Sequence, residues 1–131
     1  MKEIYLCRGK RLDNDEWITG YYRINGVGDS MIYSEEQNIS DEVFYVNPDT
    51  IGRCTGLHDK HNQLIYAGDI CKIKRTIYEI VEKDGGIWAK IKKNNTTYYK
   101  LICYLCDKGL EIVGNIYDNL DILKTYEKPD L

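Results

Sequence analysis

The sequence predicts a mainly β protein, and three observations point to that fold class. The chain has 131 residues, a length at which one domain buries about two-thirds of the surface of its unfolded chain. It contains 12 Tyr together with many Ile, residue types that suit a pleated, half-buried surface. Short apolar runs alternate with clusters of turn-forming residues, a spacing typical of barrels and sandwiches.

The first part of the chain, residues 1–48, is predicted to be a β-rich extension. Its expected strands are apolar runs bounded by polar turn residues: residues 3–8, 17–24, 31–33 and 43–46. In the first of them, Ile4 and Leu6 are expected to share one face because side chains alternate along a strand. The acidic stretch at residues 34–42 is expected to be a solvated loop. Pro48 ends the extension because it donates no backbone hydrogen bond.

The second part, residues 49–131, is predicted to continue with short strands and a helical tail. The expected strands are residues 51–55, 64–66, 70–81, 87–92, 96–106 and 110–117. The sequence Asp84-Gly85-Gly86 predicts a hairpin, since Asp-Gly and Gly-Gly readily take the positive φ of primed turns. Residues 118–126 predict one or two helical turns, capped by Asp118 or Asn119. Both parts are expected to belong to one compact unit.

The densest set of turn residues lies between residues 50 and 73, and we interpret it as structural. Gly56, Asn62 and Gly68 are expected to supply backbone geometry, Asn62 because Asn is the best non-glycine residue at positive φ. Asp59 is expected to accept hydrogen bonds from neighbouring backbone amides. The same structural role is predicted for three other turn residues: Asp69, Gly114 and Asn115.

The net charge, the apolar runs and the cysteine count limit which classes of partner we expect. A formal net charge of -3 gives no global attraction to nucleic acid or to anionic lipid. No run approaches the ~18 apolar residues of a membrane span, and the N-terminus lacks the apolar segment of a signal peptide. We therefore expect no contact with membranes. Five Cys is an odd number and no export signal is readable, so we expect free thiols in a reducing cytoplasm.

Zinc is the sharpest cofactor possibility in the sequence. His58 and His61 with Cys103 and Cys106 would supply two nitrogen and two sulfur ligands, the usual tetrahedral set. However, residues 101–106 read as a buried strand, which would point the two cysteines to opposite faces because their spacing is odd. We therefore expect two buried thiols, with no metal and no other cofactor.

No catalytic constellation is readable in the sequence. The two histidines share one turn, and neither a G-x-S-x-G motif nor a Cys-with-His motif accompanies them. The stretch GVGDS at residues 26–30 lacks both the Lys-Ser/Thr ending and the strand-to-helix context of a phosphate loop. We therefore expect no enzymatic activity and identify no small-molecule substrate.

Two basic stretches, KIKR and KIKK, fall on what we expect to be neighbouring strands. With one aromatic side chain they would form a single surface: Lys72, Lys74, Arg75, Trp88, Lys90, Lys92 and Lys93. Small barrels use such surfaces for single-stranded nucleic acid, with aromatic rings stacking on the bases. Lysines on an outer face also protect edge strands from aggregation, which needs no nucleic acid at all.

Three segments resemble the YopX family of phage and prophage proteins: CRGKRLDNDEWITGYY, VNPDTIGRCTGLHDKHNQLIYAGDI and LEIVGNIYDNLDIL. They occur in the order found in the family and span nearly the whole chain. The resemblance implies a mainly β structure whose C-terminal part, about Asp49 to Tyr117 here, is a small SH3-like barrel. It implies no established reaction, substrate or cofactor. This sequence departs from the family where Asn62 replaces a usual glycine and where Leu120 replaces a frequent proline.

These observations predict a non-enzymatic accessory protein, encoded by a phage or prophage, that acts in the cytoplasm of the bacterial host cell. We expect it to bind a host or phage protein, or a second copy of itself. An exposed strand edge or aromatic patch is sufficient for such a role, and the edges of a small β domain favour self-association. A single-stranded nucleic-acid-binding accessory protein is the alternative, and an uncharacterised enzyme is the second alternative.

Overall fold

The computed structural model describes residues 5–34 and 42–127. The chain divides into two compact units, Met1–Cys54 and Thr55–Leu131. The mainly β fold expected from the sequence is confirmed, because the described residues form two antiparallel sheets with short helices. Within these residues neither sheet closes into a barrel, so the SH3-like barrel implied by the resemblance is not confirmed.

The first unit is built from short strands joined by polar turns. They are β1 (Cys7–Lys10), β2 (Trp17–Ile24), β3 (Ser30–Ser34), β4 (Val43–Tyr45) and the beginning of β5 (Gly52–His58). These strands follow the order β4-β3-β2-β1-β5, and each pair is antiparallel. A 3-10 turn at Pro48–Thr50 leads into β5. At the start of this turn, the Asn47 side chain accepts a hydrogen bond from the backbone N–H of Asp49.

Buried apolar side chains hold the strands of the first unit together, among them Leu6, Ile32 and Val46. Strands β2 and β3 approach closely at Gly20, where an added Cβ would clash with the carbonyl oxygen of Tyr33. The predicted first strand is displaced, since β1 begins after Leu6. Ile4 lies outside the described residues, as does most of the acidic stretch predicted to be a loop.

The second unit contains the end of β5 and all later elements. The strands are β6 (Leu64–Tyr66), β7 (Asp69–Ile73), β8 (Thr76–Lys83), β9 (Gly86–Lys93), β10 (Thr96–Lys100) and β11 (Glu111–Asn115). The helices are α1 (Ile102–Cys106) and α2 (Leu120–Glu127). Strand β6 lies beside β5, and the other strands form a sheet in the order β10-β9-β8-β7-β11. Helix α2 confirms the predicted helical tail.

One face of this five-stranded sheet carries the core of the second unit. Its buried members come from strands β6 to β9, from α1 and from the residue before β11: Ile65, Cys71, Tyr78, Ile80, Ala89, Ile91, Ile102, Leu105 and Leu110. The alternation along β9, with Ala89 and Ile91 buried, is the period-two pattern expected of a strand with one covered face.

Two-residue turns join the central strands of this sheet. The predicted Asp-Gly hairpin is confirmed, with Asp84 at φ 51° and Gly85 at φ 81° between β8 and β9. Asn94 at φ 50° and Asn95 at φ 64° make the next turn, between β9 and β10. Positive φ at both positions is the mark of a type I′ turn, whose twist matches that of the flanking strands.

The predicted strand over residues 96–106 is wrong in its second half. Strand β10 ends at Lys100, and α1 follows at once. Ile102 and Leu105 are both buried in the core, and residues three apart share one face of a helix but not of a strand. A short apolar run fits either period, which is why the sequence alone favoured a strand.

The turn between β5 and β6 contains Asn62 at φ 63°, which confirms the predicted positive φ. We expect Asn62→Val to lower the free energy of unfolding by about 1 kcal/mol or more, since a β-branched side chain resists this conformation. Asn62→Gly should leave it nearly unchanged. Urea titrations of the three proteins measure both effects. Equal stability of the Val and Gly variants would contradict the assignment.

Candidate functional site

The Asp59 carboxylate organises the turn that the sequence marked as structural. Asp59 is buried, with 6% of its surface exposed. Oδ1 accepts hydrogen bonds from the backbone N–H groups of His61 and Gln63, both at 2.9 Å. Oδ2 accepts from the backbone N–H of Ile112 in β11 at 3.0 Å. Asp59 therefore accepts hydrogen bonds from nearby amides as predicted, and it also links the turn to β11, a strand far along the chain.

The ionisation of Asp59 depends on the balance between burial and these hydrogen bonds. Burial opposes the charged form, but the N–H groups of Ile112, Gln63 and His61, together with the His61 ring, outweigh it. The net result is a pKa of the Asp59 carboxyl below its ordinary value. Hydrogen bonds to the ionised form act in this direction. Asp59 is thus an anchor that is charged in the folded protein near neutral pH.

A second carboxylate, Glu111, gathers three basic side chains beside the same turn. His61 Nε2 lies 3.0 Å from Oε2 of Glu111, and Lys60 Nζ lies 3.3 Å from it. Lys72 Nζ lies 3.6 Å from Oε1. The hydrogen bond from His61 is the largest influence that lowers the pKa of Glu111, followed in the same direction by Lys60 and Lys72. His61 is therefore engaged with Glu111 as part of the turn.

The four candidate zinc ligands are placed by different elements. His58 ends β5, His61 lies in the following turn, and both cysteines are on α1. The expectation that Cys103 and Cys106 point to opposite faces is wrong, because the helix brings residues three apart onto one side. The expectation of two buried thiols is also wrong, because the Cys103 side chain is exposed and that of Cys106 is half-buried. Burial, with Cys103 as the next cause, raises the pKa of the Cys106 thiol. Among the described residues no group of three or more His, Cys, Asp or Glu could hold a metal ion.

The other turn residues also have backbone partners. Asp69, with 1% of its surface exposed, accepts a hydrogen bond from the backbone N–H of Tyr66 at 2.8 Å. Asn115 Oδ1 accepts from the N–H groups of Tyr117 and Asp118. An added Cβ at Gly114 would lie 2.6 Å from Oδ1 of Asn119. Gly56 at φ 76° and Gly68 at φ 97° have the conformations that favour glycine: both are left-handed.

The basic residues divide between different parts of the five-stranded sheet. Alternation from the buried Ala89 and Ile91 places Trp88, Lys90 and Lys92 on the face opposite the core. Lys93 is on the other face by the same alternation. Lys72, on β7, shares the face of Lys90 and forms an ion pair with Glu111. Lys74 and Arg75 form the β7–β8 turn. The expectation that the two basic stretches lie on neighbouring strands is wrong, because β8 lies between β7 and β9. Of the predicted basic surface, Lys72, Trp88, Lys90 and Lys92 share one face of the sheet.

Tyr99 joins this face, which the sequence reasoning did not foresee. It lies directly opposite Lys90 in the β9–β10 pair, and Lys83 Nζ lies 5.0 Å from the centre of its ring. Glu79 stands opposite Lys90 on the other side. The outer face therefore mixes aromatic rings with both signs of charge. The position of Tyr99 becomes apparent only from the register in which β10 pairs with β9.

The edges of the two sheets differ in how far the protein itself covers them. At β4, the N–H of Leu12 donates to the carbonyl of Tyr45. At β6, Asp69 accepts from Tyr66. At β11, Asp59 accepts from Ile112, and the N–H of Lys60 donates to the carbonyl of Leu110 just before the strand. At each of these three edges, the protein itself thus forms hydrogen bonds with some of the backbone groups of the edge strand.

Strand β10 is the open edge. In a two-residue hairpin the closing pair, Lys93 and Thr96, is hydrogen-bonded, and the bonded pairs then alternate. Thr96, Tyr98 and Lys100 therefore direct their backbone groups to β9, while Thr97 and Tyr99 direct theirs outward. No hydrogen bond from the described residues reaches these outward groups.

In the described part of the second unit, four of the six exposed large apolar side chains lie at this edge or soon after it in the sequence. All five residues of β10 are exposed. The large apolar side chains here are Tyr98 at 49%, Tyr99 at 40%, Leu101 at 58% and Tyr104 at 60% exposure. Apolar groups exposed beside unpaired backbone make an edge prone to accept another strand. We take β10 with Leu101 and Tyr104 as the candidate site and call it the β10 edge.

A cavity of about 540 Å³ in the first unit was not foreseen either. Its lining is Arg11, Leu12, Asp13, Asp29, Val43, Phe44 and Tyr45. The Arg11 guanidinium donates to both carboxylate oxygens of Asp13, at 2.9 and 2.6 Å, and lies over the Phe44 ring. The charged side chains of Arg11 and Asp13 in the cavity lining are therefore paired with each other.

We expect Asp59→Asn to lower the free energy of unfolding at neutral pH by about 2 kcal/mol. The amide keeps the shape but turns one acceptor into a donor that faces a backbone N–H. Because the folded pKa is depressed, the Asp59 contribution is complete above the unfolded value of about 3.9 and is lost as the pH falls through the folded pKa. Denaturation across acid pH measures the difference, which should shrink as the pH falls. Asp49→Asn, at an exposed site, is the control, and a difference that stays constant with pH would contradict the assignment.

No helix in the described part of the chain is long and apolar enough to cross a membrane. Comparison with curated proteins gives no match. A model of the YopX protein family matches residues 8–124. Among the described residues this range takes in the eleven strands and α1, except for the first residue of β1, so the match extends over both units. The chain belongs to the YopX family.

Proposed function

We propose that this protein is a phage- or prophage-encoded accessory protein that acts by binding another protein at the β10 edge, without catalysis. The observation that carries the proposal is the open backbone of Thr97 and Tyr99, flanked by exposed tyrosines. Membership of the YopX family supports the phage setting, and with it the cytoplasm of a bacterial cell as the place of action.

Strand addition fits the chemistry of the β10 edge. An extended segment placed beside β10 would exchange hydrogen bonds with Thr97 and Tyr99, which supplies affinity without regard to side chains. Specificity would come from the two faces, since Tyr98 and Tyr99 project to opposite sides of the sheet. Tyrosine suits this role because its rigid ring buries a large area at a small cost in conformational entropy.

The absence of catalysis is supported by what the polar side chains already do. Asp59 accepts hydrogen bonds from three backbone amides, and Glu111 is engaged with Lys60, Lys72 and His61. A general base or a nucleophile needs a lone pair that can reach a substrate. These groups are committed to the fold.

Thr97→Pro is expected to abolish partner capture while preserving the fold. Proline removes the outward N–H of residue 97, which makes no bond within the sheet, and proline is tolerated on edge strands. Immobilised wild-type protein should retain partners from phage-infected bacterial extract supplemented with untagged copies of this chain, and Thr97→Pro should retain none of them. Circular dichroism checks that the variant folds.

Tyr45→Lys provides the matched control, because Tyr45 is an exposed tyrosine on the covered edge strand β4. It should retain the same partners as the wild type. Retention by Thr97→Pro equal to that of the wild type would refute binding at the β10 edge. Capture of neither an extract protein nor the chain itself by the wild type would refute the binding role.

Single-stranded nucleic acid is the second candidate partner, favoured by the shared face of Trp88, Lys90, Lys92 and Tyr99. Successive bases can stack on aromatic rings while lysines contact the phosphates. Against this, Glu79 faces Lys90, and the Trp88 Nε1–H is already bonded to the carbonyl of Lys83 at 3.1 Å. Because the formal net charge is -3, any attraction to phosphates would have to come from this face and not from the protein as a whole.

If this face binds nucleic acid, replacing Lys90 and Lys92 together by Ala should weaken binding. It should also reduce the salt dependence of binding by about one unit of slope for each phosphate that is no longer neutralised. Titration of labelled single- and double-stranded oligonucleotides at low and physiological salt measures both. Lys100→Ala, on the core side of the sheet by alternation, is the control. Binding absent at low salt would eliminate this candidate.

A further inference from the structure

We propose that the segment which adds to the β10 edge is β10 of a second copy, so that two chains pair antiparallel about a two-fold axis at Tyr98. This inference rests on the proposed function and names the partner of the same site. It draws on the hydrogen-bond alternation of β10, the order of its side chains and the exposure of its surroundings.

The outward backbone groups determine the register. Thr97 and Tyr99 are the strand residues whose N–H and C=O groups face away from β9. In a pairing centred on Tyr98, Thr97 of each copy lies opposite Tyr99 of the other, and the two exchange hydrogen bonds. This register also pairs the whole of Thr96–Lys100 with itself. A shift of the centre to Thr97 or Tyr99 would leave part of each strand unpaired.

The side chains are self-complementary in the same register. Lys100 is the charged residue of β10, and it falls opposite Thr96 of the second copy, so like charges are not placed directly opposite each other. The two Tyr98 side chains meet at the axis as a non-hydrogen-bonded pair, where opposing side chains are closest. Aromatic pairs at such positions stabilise a sheet. A two-fold interface requires this kind of self-complementarity.

Two exposed apolar side chains also lie close to β10 in the sequence. Leu101 directly follows β10 at 58% exposure, and Tyr104 lies on α1 at 60% exposure with Lys108 Nζ 4.4 Å from the centre of its ring. Helix α1 packs on the core side of the sheet through Ile102 and Leu105. In the two-fold arrangement the α1 helices of both copies lie on the same side of a continuous sheet. The other edges have bonds from their own chain, which leaves β10 as the edge open to pairing.

Variants with opposite charges at residue 98, measured alone and mixed, test the pairing. Tyr98→Lys and Tyr98→Glu should each give monomers, because like charges then face each other across the axis. An equimolar mixture of the two should recover dimers of one copy of each. Sedimentation velocity measures the masses, and circular dichroism checks that each variant is folded. Tyr45→Lys is the matched control, since Tyr45 and Tyr98 are 51% and 49% exposed, and it should remain dimeric like the wild type.

Hydrogen exchange gives an independent readout in the unmodified protein. The amides of Thr96 and Tyr98 should be protected at every protein concentration, because they bond to β9. Those of Thr97 and Tyr99 should become protected only as concentration rises and dimers form. Dimers with Thr97 and Tyr99 still unprotected, or variants at residue 98 that stay dimeric alone, would overturn pairing at β10.

The outcomes separate this inference from the proposed function. A monomeric wild type whose capture of an extract protein is still lost in Thr97→Pro overturns self-pairing and leaves the binding role intact. A monomeric wild type with no capture sensitive to Thr97→Pro overturns both. Capture of a single-stranded oligonucleotide by a monomeric wild type overturns self-pairing and favours the outer face instead.

Discussion

The hydrogen bonds of the Asp59 carboxylate are the constraint on which the second unit depends. Its two oxygens hold the turn between β5 and β6 and, 53 residues along the chain, the N–H of Ile112 in β11. One buried charge thus fixes a local turn and also covers the edge at β11. Glu111, adjacent in sequence to Ile112, adds Lys60 and His61 from the same turn. Covering this edge leaves β10 as the exposed end of the five-stranded sheet.

Features that depend on neighbouring residues were predictable from the sequence. The positive φ of Asn62, the Asp84-Gly85 hairpin and the acceptor role of Asp59 follow from the chemistry of single residues, and the structure confirms all three. The apolar run at residues 101–106 fits both a strand and a helix, so its period could not be decided without the core against which Ile102 and Leu105 pack. The position of Tyr99 opposite Lys90 follows from the register of the Asn94-Asn95 hairpin. The order of the strands in the sheet depends on long-range pairing, which has no local signal, so the open edge could not be predicted.

The Asn94-Asn95 turn determines more than the direction of the chain. Because it contains two residues, it decides which amides of β10 face β9 and which face outward. An insertion of one residue in this hairpin would exchange the two sets and move every side chain of β10 to the opposite face. Substitutions at Tyr98 or Tyr99 change only the character of the surface. The β10 edge is therefore sensitive to changes in the length of this hairpin.

The strand order of the second unit also has a consequence for the order in which it folds. The pairings β7–β8, β8–β9 and β9–β10 each join sequence neighbours, so each of them closes a short loop at a small entropic cost. Strand β11 must return past β10 and α1 to reach β7, and the Asp59–Ile112 bond closes a still longer loop. We expect the meander to form early and the β11 side to form last. During synthesis the chain then passes through a stage in which both ends of the sheet are unpaired, and the late closure of one end limits how long that stage lasts.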